Sequence, residues 1–150
     1  MMHLRFLALL LLPFSAFAQS APTYDKSLAD SLGADDYGMK RYQLVLLKTG
    51  TASIPAKGVS DSLFAGHMTN IGRLAASGQL VVAGPLQKNE KAYRGIFILN
   101  VGTPEEARAL LATDPAVKAG LLDAEIYGWY GSAALPTYLP NHARVQKKGH

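Results

Sequence analysis

His67 and Asp114 are the two ionisable residues whose surroundings best suit acid–base chemistry. His67 interrupts an apolar stripe that contains Phe64 and Met68 at helical spacing. Asp114 stands directly before Pro115, just past the end of a second predicted helix. A nearby carboxylate fixes the tautomer of an imidazole and favours its protonated form. We therefore predict that the two side chains lie ~2.6–3.2 Å apart at the floor of a pocket, where the imidazole can transfer protons.

Each of the two residues also has a purely structural interpretation. A histidine on an apolar stripe can be buried and bonded to a backbone carbonyl, or partly exposed at the edge of the stripe. Asp114 can cap a further helical turn between Pro115 and Gly120 through its backbone bonds. Capping and pairing are compatible roles for Asp114, because a carboxylate has two oxygens.

Two predicted helices must hold this pair. The first begins at a cap, Ser60 or Asp61, and runs to about Ser77 before Gly78. The second begins at Thr103, where proline follows the cap and a glutamate stands three residues later, as a capping box requires. It ends near Ala112, since a residue before proline disfavours the helical conformation. A short helix containing Leu28 and ending at Gly33 precedes both of them.

Four segments have the composition of β-strands, and the short link between the second and third makes those two antiparallel neighbours. The strands are predicted over Tyr42–Thr49, Leu80–Ala83, Tyr93–Val101 and Leu121–Trp129. Gly84-Pro85 is expected to interrupt the second strand. The order of elements is β-α-β-β-α-β, which predicts a ferredoxin-like α+β fold with two helices on one face of a four-stranded antiparallel sheet.

The face of the sheet opposite the helices is predicted to be covered by a second copy of the chain. In the fourth strand, Leu122, Ala124 and Ile126 alternate with Asp123, Glu125, Tyr127 and Trp129. The first set suits contact with the helices, and the second mixes charge with large aromatic rings. The first strand is apolar on both faces, which indicates burial of both. A homodimer formed through this open face satisfies both patterns.

Four segments together resemble the YCII-related (YciI-like) family, over roughly Tyr42 to Leu135. They are His67 with Asn70 and Leu74, Val82–Leu86, Thr113–Leu121, and Glu125–Trp129. The resemblance implies a dimeric α+β barrel, the fold type that includes muconolactone isomerase. It also implies a dimer with a pocket at His67 and Asp114. The resemblance says more about the fold than about the substrate, because the reactions of the family are mostly unassigned.

Five further residues are candidates for contact with a substrate. Asn70, one helical turn beyond His67, can bond a substrate, the imidazole or solvent. Gly84 and Pro85 can form the wall of the pocket, or only an ordinary turn. Arg94 can bind an anionic substrate or lie solvated at the end of a strand. Trp129 can line the pocket, or instead belong to the core or the dimer contact.

The first 18 residues are predicted to be a secretory signal peptide. Arg5 provides the positive region, Leu4–Leu12 the short apolar region, and Ala16-Phe17-Ala18 a cleavage site before Gln19. A membrane anchor is the alternative, but the apolar run is shorter than the ~20 residues that a span requires. The prediction is a secreted or periplasmic protein with an extension at 19–39, a YCII-related domain at 40–135 and a basic tail at 136–150.

Composition excludes several kinds of chemistry. The chain has no cysteine, so it has neither a disulfide nor a cysteine nucleophile. No two histidines have metal-binding spacing, and we predict neither a metal nor another cofactor. The net charge is +4, but much of it lies in the tail, unlike a nucleic-acid interface. Two interpretations remain open: an isomerase or lyase acting on a small cyclic or aromatic metabolite, and a non-catalytic domain that binds a ligand or dimerises.

Overall fold

The computed structural model describes residues 23–53 and 56–148 of the chain. The predicted signal peptide and its cleavage site lie outside the described residues. The elements in chain order are α1 (Lys26–Leu32), β1 (Met39–Thr49), α2 (Lys57–Ala76), β2 (Leu80–Pro85), β3 (Tyr93–Leu99), α3 (Pro104–Leu111), α4 (Pro115–Lys118), β4 (Leu122–Ser132), a 3-10 helix (Leu135–Tyr138) and α5 (Leu139–Val145). Among the described residues, none of these helices combines the length and apolar character that a membrane crossing needs.

The four strands form one antiparallel sheet in the order β2-β3-β1-β4. The central strand β1 pairs with β4 along its whole length, from Met39 opposite Ser132 to Thr49 opposite Leu122. This connectivity, with helices after the first and third strands, is the ferredoxin-like α+β fold, and the predicted fold class is confirmed.

The core lies between one face of the sheet and helices α2, α3 and α4. Its buried apolar side chains are Val45, Leu47, Leu74, Leu80, Phe97, Leu99, Ala107, Leu111, Ala116 and Leu122. Ala124 and Ile126 pack partly buried against this cluster, so the face of β4 predicted to meet the helices does so. The apolar stripe of α2 is narrower than predicted, because Phe64 and Met68 are exposed while His67, Asn70 and Leu74 are buried.

Several strand boundaries differ from the predictions, among them the end of β3 at Leu99 instead of Val101. β2 continues through Gly84 to Pro85, where the sequence predicted an interruption. A proline is tolerated there because β2 is an edge strand, which needs hydrogen bonds on one side only. β1 begins at Met39 and β4 ends at Ser132, because these two residues pair with each other and continue the ladder beyond the strongly apolar stretches of both strands.

Two helical features differ from the predictions: the residue at which α2 begins and the helices of the C-terminal segment. α2 begins at Lys57 and not at Ser60 or Asp61, since the Asp61 carboxylate lies inside the helix and accepts a hydrogen bond from Lys57 Nζ at 2.6 Å. The C-terminal tail, for which the sequence predicted no helix, forms the 3-10 helix and α5. The Tyr138 hydroxyl ties this segment to the edge strand by donating to the carbonyl of Val81.

The second face of the sheet is only partly covered in the single chain. Leu44 and Leu46 of β1 lie on this face between Ile98 and Ile96 of β3 and the aromatic and acidic residues of β4. All four apolar side chains retain some exposure, and Tyr127 on the same face is 50% exposed. The sheet therefore presents an apolar surface opposite its helices, which we call the open face.

The helices α2 and α4 approach each other closely at Gly66. A β-carbon at this position would lie 2.9 Å from Cγ of Pro115, closer than real β-carbons come to a neighbour. Gly66 immediately precedes His67, and Pro115 immediately follows Asp114. The glycine thus permits the helix separation on which contact between those two side chains depends.

We predict opposite effects for alanine at two glycines of α2. Gly66→Ala should lower the free energy of unfolding by about 1–3 kcal/mol, because the rigid proline ring cannot move aside. Gly72→Ala, whose β-carbon would meet nothing within 4 Å, should raise it by up to ~1 kcal/mol through helix propensity. Urea unfolding of both variants checks this. Equal effects at the two positions would contradict a tight contact at Gly66.

Candidate active site

The predicted pair of His67 and Asp114 is present and buried. His67 Nδ1 lies 2.6 Å from Asp114 Oδ2, across 47 residues of sequence. His67 is 8% exposed and Asp114 is 1% exposed. Since an ionised carboxylate has no proton to donate, the imidazole nitrogen Nδ1 carries the proton and donates it to Oδ2. The neutral ring then has its lone pair on Nε2.

Asp114 uses its two oxygens for two purposes. Oδ2 accepts from His67, while Oδ1 accepts from the backbone N–H groups of Ala116 at 2.9 Å and Val117 at 3.4 Å. The residue is the N-cap of α4, with Pro115 in the first turn. Both roles considered for Asp114 therefore coexist, and the cap fixes the direction in which Oδ2 points.

Two aromatic rings hold the imidazole plane. Phe97 of β3 stacks on it with ring centroids 5.9 Å apart and planes inclined by 20°. Phe64, one turn earlier on α2, meets it edge-on at 6.3 Å. Nε2 has no hydrogen-bond partner among the described residues, and the His67 side chain retains 11% exposure. The ring is thus fixed on three sides, and the free nitrogen is the atom that can meet a reacting group.

Opposing effects set the pKa of Asp114. Burial by itself raises the pKa of this carboxyl. The hydrogen bond and charge of His67, together with the backbone N–H groups of Ala116 and Val117, outweigh burial and lower the pKa below its usual value. Asp114 is therefore ionised at neutral pH, and its charge stabilises the imidazolium that forms when Nε2 takes up a proton.

Asn70 is buried, and its side-chain oxygen bonds two other side chains rather than the imidazole or solvent. It is 7% exposed. Its Oδ1 accepts from Arg73 Nη2 at 2.7 Å and lies 3.1 Å from Thr113 Oγ1. Arg73, three residues further along α2, is at a spacing from which this contact could have been predicted. Thr113 lies 43 residues away in sequence, and no periodic pattern connects it to Asn70.

Pro85 and Arg94 lie together at one end of the sheet. With Tyr93 and neighbouring residues of the β2–β3 connection they line a surface cavity of about 320 Å³. Gly84 stands opposite Ile96 in the ladder, and Gly95, which stands opposite Pro85, is the glycine at which the two backbones approach closely. A β-carbon at Gly95 would lie 2.9 Å from the carbonyl oxygen of Gly84.

A second cavity, of about 480 Å³, lies between α3, α4 and β4, where Leu111, Val117 and Ile126 are among its lining residues. Neither of these two cavities, both formed by described residues, is lined by His67. The predicted set of site residues is therefore divided: His67 and Asn70 of α2 lie close to Asp114 at the start of α4, whereas Pro85 and Arg94 lie at the end of the sheet.

Trp129 lies on the open face, away from the His67–Asp114 pair. It stands opposite Tyr42 in the ladder, and the two rings are tilted with centroids 5.5 Å apart. The same face carries a polar cluster in which Glu125 accepts from Lys48 Nζ at 3.1 Å and from the Tyr127 hydroxyl at 2.9 Å. The tryptophan therefore suits the core or an interface between copies, which were the alternatives considered for it.

Phe97 and Gln43 are buried near the core and were missed by sequence reasoning. The alternation of buried residues in β3 could have placed Phe97 beneath α2, since it shares its face with Leu99. Gln43 donates from Nε2 to the carbonyl of Gly102, while its Oε1 has no partner among the described residues. No sequence pattern marks a glutamine in that role. Within the described ranges, no three potential metal-binding side chains cluster together.

The chain belongs to the YCII-related family. The sequence model of the YCII-related domain matches residues 44–130, more than half of the chain. This confirms the resemblance drawn from the four sequence segments, and the matched range contains both members of the buried pair.

Comparison with individual proteins adds little. No curated protein matches the chain. Among solved structures, the chain is similar to 5-chloro-2-hydroxyhydroquinone dehydrochlorinase (TftG) from Burkholderia phenoliruptrix in complex with 2,5-dihydroxybenzoquinone, at 18% identity and a TM-score of 0.42, covering 58% of this chain and 92% of that chain. A similarity this low does not transfer an activity.

We predict a specific pH dependence of stability from the lowered pKa of Asp114. A lowered folded-state pKa stabilises the protein above the unfolded carboxyl value of ~3.9, and the stabilisation is lost as pH falls through the folded value. Asp114→Asn should therefore lower the free energy of unfolding by about 1.5–3 kcal/mol at neutral pH, and by less below about pH 4. Urea unfolding from pH 3 to 7 measures this, with the exposed Asp61→Asn as control. A difference that stays constant across the range would contradict an ionised, paired Asp114.

Proposed function

We propose that this YCII-related protein catalyses proton transfer on a small cyclic or aromatic metabolite, as an isomerase or lyase, with His67 as the acid–base group. The observation that carries the proposal is the 2.6 Å bond from His67 Nδ1 to Asp114 Oδ2, which leaves Nε2 without a partner among the described residues. A histidine arranged in this way accepts a proton on Nε2 and returns it, while the ionised carboxylate balances the charge.

His67 and Asp114 have distinct roles in this chemistry. His67 meets the substrate and is the catalytic residue, whereas Asp114 acts through it by fixing the tautomer and stabilising the imidazolium. The aromatic rings of Phe64 and Phe97 flank the imidazole and fix the orientation of its plane. General acid–base catalysis of this kind contributes about 10²–10⁴-fold to a rate.

The alternative function is a non-catalytic domain that binds a small ligand or only dimerises. One observation favours it: the cavity at the β2–β3 connection and the cavity between α3, α4 and β4, both formed by described residues, lie away from His67. We further propose that a homodimer forms through the open face, supported by its partly exposed Leu44, Leu46, Ile96 and Ile98. Export after cleavage before Gln19 completes the proposal and rests on the sequence pattern alone.

A metabolite screen separates the two functions. Purified protein is tested by thermal shift against small cyclic and aromatic metabolites, together with His67→Ala and the exposed tail variant His142→Ala as a matched control. We expect a ligand whose shift is lost in His67→Ala and kept in His142→Ala. Consumption of that ligand, followed by mass spectrometry, should fall about 10²–10⁴-fold in His67→Ala. Binding of a ligand without its consumption supports the non-catalytic alternative. A ligand-induced thermal shift that is unchanged in His67→Ala contradicts a binding site at this residue.

The dimer has its own test. Light scattering at micromolar concentration should give about twice the monomer mass, because a stable interface commonly buries ~2,000 Å² or more. Tyr127→Lys, which places a charge on the open face, should shift the protein to monomer. Tyr24→Lys, at a more exposed tyrosine outside the sheet, should leave the dimer intact. A wild-type protein that runs as a clean monomer would disprove this assembly.

A further inference from the structure

Three polar side chains form a second cross-link beside the His67–Asp114 pair. Arg73 Nη2 lies 2.7 Å from Asn70 Oδ1 and 2.8 Å from Thr113 Oγ1, and these two oxygens lie 3.1 Å apart. Asn70 and Arg73 belong to α2, whereas Thr113 belongs to the link between α3 and α4. We call this group the Asn70–Arg73–Thr113 cluster.

Proton counting identifies Arg73 as the donor that holds the cluster together. The Thr113 hydroxyl has one proton, and its shortest contact, 2.6 Å, is with the backbone carbonyl of Leu110. With that proton used, Thr113 Oγ1 and Asn70 Oδ1 are both acceptors. The Arg73 Nη2 group has two N–H bonds, one for each oxygen. An asparagine turned the other way would set its amide N–H groups against the guanidinium, so the chemistry dictates its orientation.

The cluster is placed to control the pair. Asn70 lies one helical turn after His67 on α2, and Thr113 directly precedes Asp114. On the other side of His67, Gly66 contacts Pro115, which directly follows Asp114. The bond between His67 and Asp114 is therefore bracketed by an apolar contact on one side and by the cluster on the other. Any shift of Thr113 along α2 moves the backbone of Asp114 with it.

We infer that Asn70, Arg73 and Thr113 are positioning residues, which hold Asp114 at hydrogen-bond distance from His67 Nδ1 through the bridge that Arg73 donates. They do not reach the reacting atoms themselves. The inference deepens the proposed function and rests on it for any effect on turnover, but the geometry it concerns exists without a substrate. It assigns Asn70 to the support of the pair, where sequence suggested contact with a substrate, the imidazole or solvent.

The exchange of the His67 Nδ1 proton with water tests the inference in the ligand-free protein. Proton–nitrogen NMR of the imidazole follows this proton while each variant remains folded. Thr113→Val keeps the side-chain shape but removes Oγ1, and Arg73→Met removes both donated bonds. The matched controls are Thr69→Val, whose hydroxyl bonds only Ala65 within α2, and Arg108→Met, whose guanidinium pairs with Glu105 on the surface of α3.

We expect the Nδ1 proton to exchange about fivefold faster or more in Thr113→Val and Arg73→Met, in line with the loss of one hydrogen bond. The two controls should stay within about twofold of the wild type. Arg73→Lys, which still donates, should restore part of the protection. A merely structural role would lower the melting temperature without changing this exchange rate.

Two results would overturn the inference. Exchange in the cluster variants that matches the controls would show that the pair keeps its geometry without them. Equal exchange in Arg73→Lys and Arg73→Met would show that the donated bond is not what matters. Because no substrate enters the measurement, a protein that turns over nothing still gives a decisive answer, and failure of the proposed function is recorded separately by the metabolite screen.

Discussion

The bond from His67 Nδ1 to Asp114 Oδ2 is the interaction around which this site is organised. It joins α2 to the start of α4 across 47 residues, so neither side chain can be placed until the helices have packed. Gly66 sets the distance between these helices by admitting the Pro115 ring. The sheet contributes Phe97, which supports the imidazole from below. Fold and site are therefore specified by the same contacts.

Removing one member of a buried pair of this kind destabilises the fold, and burying both groups carries a desolvation cost. The structure offsets the cost by giving each carboxylate oxygen of Asp114 its own donors, an imidazole on one side and backbone N–H groups on the other. The lowered pKa of Asp114 follows from these donors, which outweigh burial. Because the charge is held before any substrate arrives, the imidazole needs no rearrangement to accept a proton on Nε2. This is the physical basis on which we propose acid–base chemistry for this member of the YCII-related family.

The sequence predicted the order of the strands and the main helices from local patterns, such as the periodicity in α2 and the capping box at Thr103. The pair was predicted because His67 lies on one helix and Asp114 just past the end of another, and these helices pack together in this fold, although the contact spans 47 residues. Other contacts between distant segments left no mark in the sequence. The bonds of Asn70 depend on Thr113, which lies 43 residues away in sequence. The alternation in β4 predicted the face that Trp129 occupies, but its contact with the Tyr42 ring depends on the register between β4 and β1. The helical C-terminal segment was also missed, because one hydroxyl, on Tyr138, anchors it to a backbone carbonyl.

The coupling between His67 and Asp114 in the folded protein tests the central claim most directly. A double-mutant cycle at neutral pH uses His67→Gln, Asp114→Asn and the double variant. It separates the coupling free energy between the two residues from the effect of each residue on its other neighbours. A buried bond that organises the site predicts a coupling free energy of unfolding of about 1–3 kcal/mol. Effects that add to within ~0.3–0.5 kcal/mol would show that the two residues act independently and would contradict the account.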